Sequence, residues 1–399
     1  MKLDNDNSIF NMGDTSLRVL RLVDAYAFLL QQLAEFLTAD LSWQNKYYQE
    51  EFYKKAYKEI IRLEEENIKF FENFNRTYNV PEESKIGHRA RTWTNALVKN
   101  GLVTSDREIS IVAKNYLADI LKPADRLEAL MTKDRTNLLY FRQYLKLRIY
   151  AKDSRHYFYN FRFAIKFLLK HDDVPKKEFL SIIESIRPTY SADELEGIID
   201  GYHKVKKGSL TFEDYYAQYF QSSLASQEEI ALAKEMFKTS NFTDDVFKKC
   251  FSNRKSTTAQ KYYKDFVLNL IDLINHKSRV AYEAIKELSN NEKIKKAFGF
   301  NQKPFEFGRE ETVDEFLTAN QGNVLLDTDH FKIYQRFLTS KRFDLIREYS
   351  DMCFRSFQAT GIFNFSSGLV NLNYKWLFKA LLLQLGDERF SLLSMAISI

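Results

Sequence analysis

Arg89-Ala90-Arg91-Thr92-Trp93-Thr94-Asn95-Ala96-Leu97-Val98-Lys99, then Asn100-Gly101, Leu102-Val103-Thr104, Ser105-Asp106 and Ile109-Ser110-Ile111-Val112, is the stretch that decides the fold class. Its first part predicts a helix. Asn100-Gly101 predicts the stop, because glycine enters the left-handed conformation that closes a helix at no steric cost. Leu102–Thr104 reads as a short strand, Ser105-Asp106 as a turn and Ile109–Val112 as a return strand with alternating apolar positions. Ala113–Leu121 resumes as helix. Helix, glycine, hairpin, helix is the order of a winged-helix module. The order returns near the C-terminus: Phe343–Gln358 predicts helix, Thr360-Gly361 a stop and Ile362–Phe365 a strand. Ser366-Ser367-Gly368 then predicts a turn, Leu369–Leu372 the return strand and Asn373–Leu385 helix. The step from stop glycine to return strand is eight residues in both copies, Gly101 to Ile109 and Gly361 to Leu369. The alternative is two unrelated helix–hairpin connections within one large helical domain.

Around these two segments the chain reads as helix. It has 399 residues with only 12 glycines and 5 prolines, the residues that interrupt regular structure. Helices are expected from about Leu22 to Leu37 and from Gln44 to Phe74, the second with acids and bases mixed on a solvated face. Asp125–Lys170 contains no glycine or proline and predicts two helices meeting near Asp153-Ser154, either of which can serve as an N-cap. Ser289–Gly322, with Pro304, three glycines and several Asn and Lys, predicts a linker or flexible loop. The expected fold is therefore mainly α and multi-helical, with two winged-helix-like helix–hairpin–helix units and little other β-structure. Three domains are expected: 1–125, N-terminal and winged-helix-like; 126–290, basic, aromatic-rich and helical; and 291–399, helical with the second hairpin unit.

Cys250 and Cys353 each stand far from any second thiol, which fits a reducing compartment and argues against a zinc knuckle or redox pair. Met1–Phe10 lacks the apolar run of a secretory signal, and no stretch of eighteen apolar residues exists. The expectation is a cytoplasmic protein with no membrane partner.

Charge is unevenly distributed. The net charge is +5, yet Lys133–Lys170 carries ten lysines and arginines against two acids, and Lys248–Arg279 eight against two. Two basic regions on an otherwise acidic body suggest a polyanion partner. Arg148, Lys152, Arg155, Arg162 and Lys166 would line one face of a continuous helix and predict contacts to a DNA backbone. The aromatics between them (Tyr144, Tyr150, Tyr157, Phe158, Tyr159, Phe161, Phe163 and Phe167) read mostly as core. Arg254, Lys255, Ser256 and Thr257, a basic turn leading into a helix, also suit a phosphate. Both runs have a plainer reading, as a solvated helix face and an ordinary N-cap. Arg89, Arg91, Thr92, Asn95 and Lys99 lie on the helix ahead of the first hairpin, where a winged-helix protein places its major-groove reader; Arg suits guanine and Asn adenine.

No catalytic motif emerges. His88, His156, His171, His203, His276 and His330 show no HxH or HExxH spacing, and no Walker A loop or GxSxG elbow occurs. Asp327 and Asp329 near Lys332 lack the following Glu-x-Lys strand of a metal-dependent nuclease. No catalytic residue, metal ligand or cofactor is assigned.

Four stretches carry a resemblance. Phe10-Asn11-Met12-Gly13-Asp14-Thr15-Ser16-Leu17-Arg18 resembles the opening of the AlwI-type group of type II restriction endonucleases. Arg91–Leu97 with Asn100–Val103 is similar to that family's first helix and wing. Asn160–Lys170 followed by Val174-Pro175-Lys176-Lys177-Glu178-Phe179 is similar to its central helix and the step after it. Arg355 with Thr360-Gly361-Ile362-Phe363 resembles the segment before its last hairpin. The likeness implies a DNA-recognition region of winged-helix units that reads a short asymmetric sequence, with Gly13, Asp14, Thr15, Arg18, Thr360 and Gly361 as motif residues. Family members continue into a Mg2+-dependent PD-(D/E)xK cleavage domain, for which this sequence offers no matching positions.

The expectation is thus sequence-specific recognition of double-stranded DNA in a restriction or anti-phage system. Mg2+ would enter only with a separate or missing nuclease domain, and a nuclease or other effector subunit is the expected protein partner. Phe390–Ile399 is the apolar segment on which it could dock. The alternatives are a helical interaction scaffold, a subunit of a multi-protein defence complex, and an enzyme whose catalytic residues converge only in three dimensions.

Overall fold

A computed structural model describes residues 2–4, 22–37, 43–66, 86–118, 134–151, 155–252 and 259–384. The protein is mainly helical. In chain order the elements are β1 (Lys2–Asp4), α1 (Leu22–Phe36), α2 (Lys46–Glu65), α3 (Ile86–Lys99), α4 (Ile111–Leu117), α5 (Arg135–Leu145), β2 (Arg148–Tyr150) and β3 (Tyr157–Phe158). There follow α6 (Asn160–Lys170), β4 (Val174–Pro175), α7 (Lys176–Ile183), α8 (Ala192–Lys206), α9 (Phe212–Leu224), α10 (Gln227–Thr239), α11 (Asp244–Cys250) and α12 (Ala259–His276). The chain continues with α13 (Arg279–Leu288), α14 (Glu292–Phe298), α15 (Val313–Ala319), α16 (Phe331–Ala359), β5 (Phe363–Ser366), β6 (Leu369–Leu372) and α17 (Lys375–Gln384). Among the described residues no helix is long and apolar enough to cross a membrane.

The chain divides into two compact units, one of residues 1–203 and 348–399, the other of Lys204–Arg347. The divisions expected at 125/126 and 290/291 do not coincide with these boundaries. The second unit is an insertion in the sequence of the first, and both boundaries fall inside helices, α8 and α16.

In the first unit α1, α2 and α3 pack through an apolar stripe on each: Tyr26, Leu29 and Leu33; Phe52, Tyr53 and Ala56; Trp93, Ala96 and Leu97, all buried. A second core layer forms where α6 and α7 meet the last turns of α16 and the final hairpin. There the rings of Phe161, Phe179, Phe357 and Phe363 stand 4.8–6.1 Å apart. β5 and β6 pair antiparallel, with Phe363 opposite Leu372 and Phe365 opposite Val370. β4, drawn from far upstream, adds antiparallel to β6, giving the order β4-β6-β5. Pro175, which has no N–H to donate, stands on that edge strand and leads directly into α7.

The expected pair of helices across 125–170 is corrected. α5 ends at Leu145, and Arg148–Tyr150 and Tyr157–Phe158 pair as antiparallel strands, Ile149 opposite Phe158. β1 joins β2 in parallel. The alternation of Arg148, Ile149, Tyr150 and of Tyr157, Phe158 favours a strand with one buried face, and Ile149 and Phe158 are the buried members. The linker expected at Ser289–Gly322 is also corrected. It contains α14 and α15, the latter closed by a capping box between Thr312 and Glu315, and it sends Phe298, Phe305 and Phe316 into the core of the second unit. Its glycines and asparagines mark caps and turns between short helices. That core is built around Phe251, Tyr263, Phe266, Tyr334 and Phe337.

Candidate nucleic-acid interface

Three parts of the first unit hold most of the residues expected from sequence to contact DNA. The first is α3 with the hairpin after it. Asn100-Gly101 ends the helix as expected: Gly101 has φ +68° and donates to Val98 O (2.9 Å), while Leu102 N reaches back to Leu97 O (2.9 Å). Arg89, Arg91 and Thr92 lie in the first two turns of α3, where side chains are outside the described set. Asn95 and Lys99 are half-buried on it, and Thr94 is buried, accepting from Arg107 Nε (2.9 Å). The expected two-stranded wing shrinks to one bridge between Val103 and Ile109. Ser110 explains this: its Oγ accepts from Ala113 N (3.2 Å) and starts α4 where the second strand was expected to continue.

The second part comprises the last turns of α16 and the β4-β6-β5 sheet. Thr360 is buried and its hydroxyl donates to Phe357 O (2.6 Å); Gly361 has φ +67°. Thr360 and Gly361 therefore close the helix and aim the hairpin. Ser367 (φ +52°) and Gly368 (φ +77°) form the tight turn, whose two positive φ values match the twist of the strands. Along the preceding helix Asp351, Phe354, Arg355 and Gln358 fall on one incompletely buried face. Arg355 Nε pairs with Asp351 Oδ2 (2.9 Å), and the Lys176 ammonium sits 3.3 Å from the centre of the Phe354 ring. Burial lowers the Lys176 pKa, with Arg355 adding to the effect and Asp351 opposing it. Lys176 was legible only as the residue following Val-Pro; nothing local joined it to a helix 178 positions further on.

The third part is the basic run, and here the one-face reading fails. Arg148 is exposed on β2 and Arg155 is exposed in the loop before β3. Arg162 and Lys166, on α6, are only 3% and 6% exposed, so they do not form part of a solvent-facing stripe. Lys166 is satisfied by Glu196 on α8, as a buried ammonium requires. Lys170 pairs with Asp200 one turn further along the same two helices (3.0 Å). Arg162 Nε donates to Leu145 O (2.7 Å), and its guanidinium carbon lies 3.6 Å from the centre of the Tyr159 ring. Burial, and secondarily Arg148, lowers its pKa. Above it, Arg148 Nε donates to the Tyr159 hydroxyl (2.9 Å), and its guanidinium lies 4.8 Å from the Tyr157 ring centre. Hydrogen bonds to the Tyr150 and then the Tyr159 hydroxyl hold the Arg148 pKa above its usual value. Most of the interleaved aromatics, Tyr144, Phe158, Phe161, Phe163 and Phe167, are buried as expected, whereas Tyr150, Tyr157 and Tyr159 line this half-open cluster.

Lys152, the turn Arg254, Lys255, Ser256 and Thr257, the motif residues Gly13, Asp14, Thr15 and Arg18, and the segment Phe390–Ile399 lie outside the described residues. Among the described residues no group of three or more His, Cys, Asp or Glu side chains could hold a metal ion. Asp327 pairs with Lys332 (2.6 Å), and Asp329 accepts from Phe331 N (3.2 Å) at the start of α16. Neither cysteine is a ready nucleophile: burial pushes the Cys250 thiol up to about 11, and burial with the neighbouring Glu184 carboxyl pushes Cys353 up strongly.

The chain matches no protein-family model, no curated protein and no solved structure.

Proposed function

We propose that this chain reads a short sequence in double-stranded DNA, as the recognition component of a restriction or anti-phage system. The observation that carries the reading is the architecture around the final hairpin. α6, β4 and α7 supply helix, strand, helix; the end of α16 with β5 and β6 supplies helix and hairpin; and β4 adds to β6. This is the order of a winged helix-turn-helix, with the second unit inserted between its second and third helices. In such a module the helix before the hairpin enters the major groove. The row Asp351, Arg355, Gln358 is then the reader, with Lys176 beside it as a phosphate contact. α3, carrying Arg89, Arg91, Thr92, Asn95 and Lys99 ahead of its shorter hairpin, is the reader of a second module. Arg148 and Arg155, exposed on the same unit, supply further backbone contacts.

Selection of the purified chain on a randomised duplex library at two salt concentrations tests this. An enriched motif is expected, with affinity falling steeply as salt rises. Gln358→Ala and Asn95→Ala should each relax one position of that motif, by about 1–3 kcal/mol of discrimination. Salt-sensitive binding with no enriched motif would overturn sequence-specific reading, and no binding at low salt would overturn the DNA reading altogether.

A further inference from the structure

The cluster on β2, β3 and the start of α6 has a composition that duplex backbone contact does not require. Arg148 and Tyr150 stand on the open face of β2, and Tyr157, 41% exposed, lies opposite Tyr150 on β3. The Tyr150 and Tyr157 rings are 5.2 Å apart, and Tyr157 meets Tyr159 edge-on at 5.7 Å. Arg148 lies over Tyr157, and Arg162 lies against Tyr159. Among the residues whose side chains are described, no ion pair joins either guanidinium to a carboxylate. Arg162 is almost completely buried, and its Nη1 has no hydrogen-bond partner there. Two adjacent cations repel, and a buried guanidinium without a counter-ion is costly. The sheet face therefore sets the exposed Arg148 guanidinium over an exposed tyrosine ring, with the buried Arg162 guanidinium beside it. An anion joined to a flat, stackable group relieves both features at once.

We propose that this face binds an unpaired nucleotide of DNA, its base stacked on Tyr157 and its phosphate held by Arg148 in the positive field of Arg162. A paired base inside a duplex hides its π-face, so the ligand is single-stranded or locally opened DNA. The inference rests on the DNA reading above and adds to it a second kind of DNA contact.

The test is fluorescence anisotropy of a labelled eight-nucleotide oligodeoxythymidine with the full chain at low salt, run beside a duplex carrying the selected motif. The wild-type protein should bind the oligonucleotide. Tyr157→Ala should weaken that binding about 5- to 150-fold, the range for loss of one base–aromatic stack, while Tyr157→Phe retains it. Arg148→Gln should weaken it as well and reduce the slope of log affinity against log salt by about 0.7, the loss of one single-strand phosphate contact. Both positions are exposed, and far-UV circular dichroism confirms that each variant is folded. Duplex binding with no oligonucleotide binding, or equal oligonucleotide affinity for wild type and Tyr157→Ala, overturns the proposal and leaves the duplex reading standing. Failure to bind either DNA overturns both.

Discussion

The two hairpins of the first unit have the same spacing from their stop glycines and nearly the same glycine geometry, φ +68° at Gly101 and +67° at Gly361. They nevertheless end as different structures. After Gly101 the chain makes a single bridge, Val103 to Ile109, and Ser110 turns it into helix. After Gly361 it makes two four-residue strands joined by a two-residue turn and extended by a third strand. The first loop is held from the side: Arg107, at φ +66°, is anchored by Thr94 and packs over Trp43 at 5.7 Å. The second is held along its length by alternating Phe363, Phe365, Val370 and Leu372 and by β4. The lesson is that spacing sets where a chain can reverse, whereas ladder length depends on what the strands have to pack against and pair with.

This contrast can be broken experimentally. The largest effect is expected at Phe363, buried among the rings of Phe161, Phe179 and Phe357. Phe363→Ala should cost about 3–5 kcal/mol in urea denaturation followed by circular dichroism, against about 1.5 kcal/mol for Val103→Ala at the short hairpin. Equal losses at the two sites would mean that the two hairpins are held alike. Next come the stops that the hairpins share: Gly101→Ala and Gly361→Ala should each cost about 1–2 kcal/mol, because a Cβ is strained at positive φ. A cost at only one of them would show that the two turns are not equivalent. The smallest effect is expected from Ser110→Ala, about 1 kcal/mol for loss of the N-cap bond to Ala113. Amide hydrogen exchange should then show faster exchange in the first turn of α4 and unchanged protection of β5 and β6. Loss of protection in β5 or β6 would mean that the cap does more than start α4.

Much of the helical content was legible, because apolar periodicity and terminal signals are local. Leu22–Leu37 and the segment before Gly101 correspond to α1 and α3 within a few residues, and the second hairpin was read nearly to the residue. The basic run lines one face only if a helix is continuous through it, and the chain there is helix, strand and helix. Once Arg148 and Tyr150 occupy a strand, helical spacing no longer relates them to Arg162 and Lys166. The segment 289–322 was misread for the opposite reason: its polar residues are caps for short helices, and the aromatics between them complete a distant core. As for the candidate site, Arg148 was legible as a cation in a basic run. Which of the neighbouring aromatics are core and which line the cluster is not legible in the sequence, since exposure is not a local property.

The sequence by itself determined that the protein is mainly helical, where its helices stop, and that two segments reverse after a glycine with equal spacing. Caps, stops and periodicity act over a few residues, so their physics is contained in short windows. Only the tertiary structure decided that Val174-Pro175 lengthens one hairpin into a sheet and that a helical unit is inserted ahead of it. It also decided that Arg148 meets solvent over tyrosine rings while Arg162 and Lys166 are buried. Strand pairing and the desolvation of a charge depend on groups brought together from distant parts of the chain.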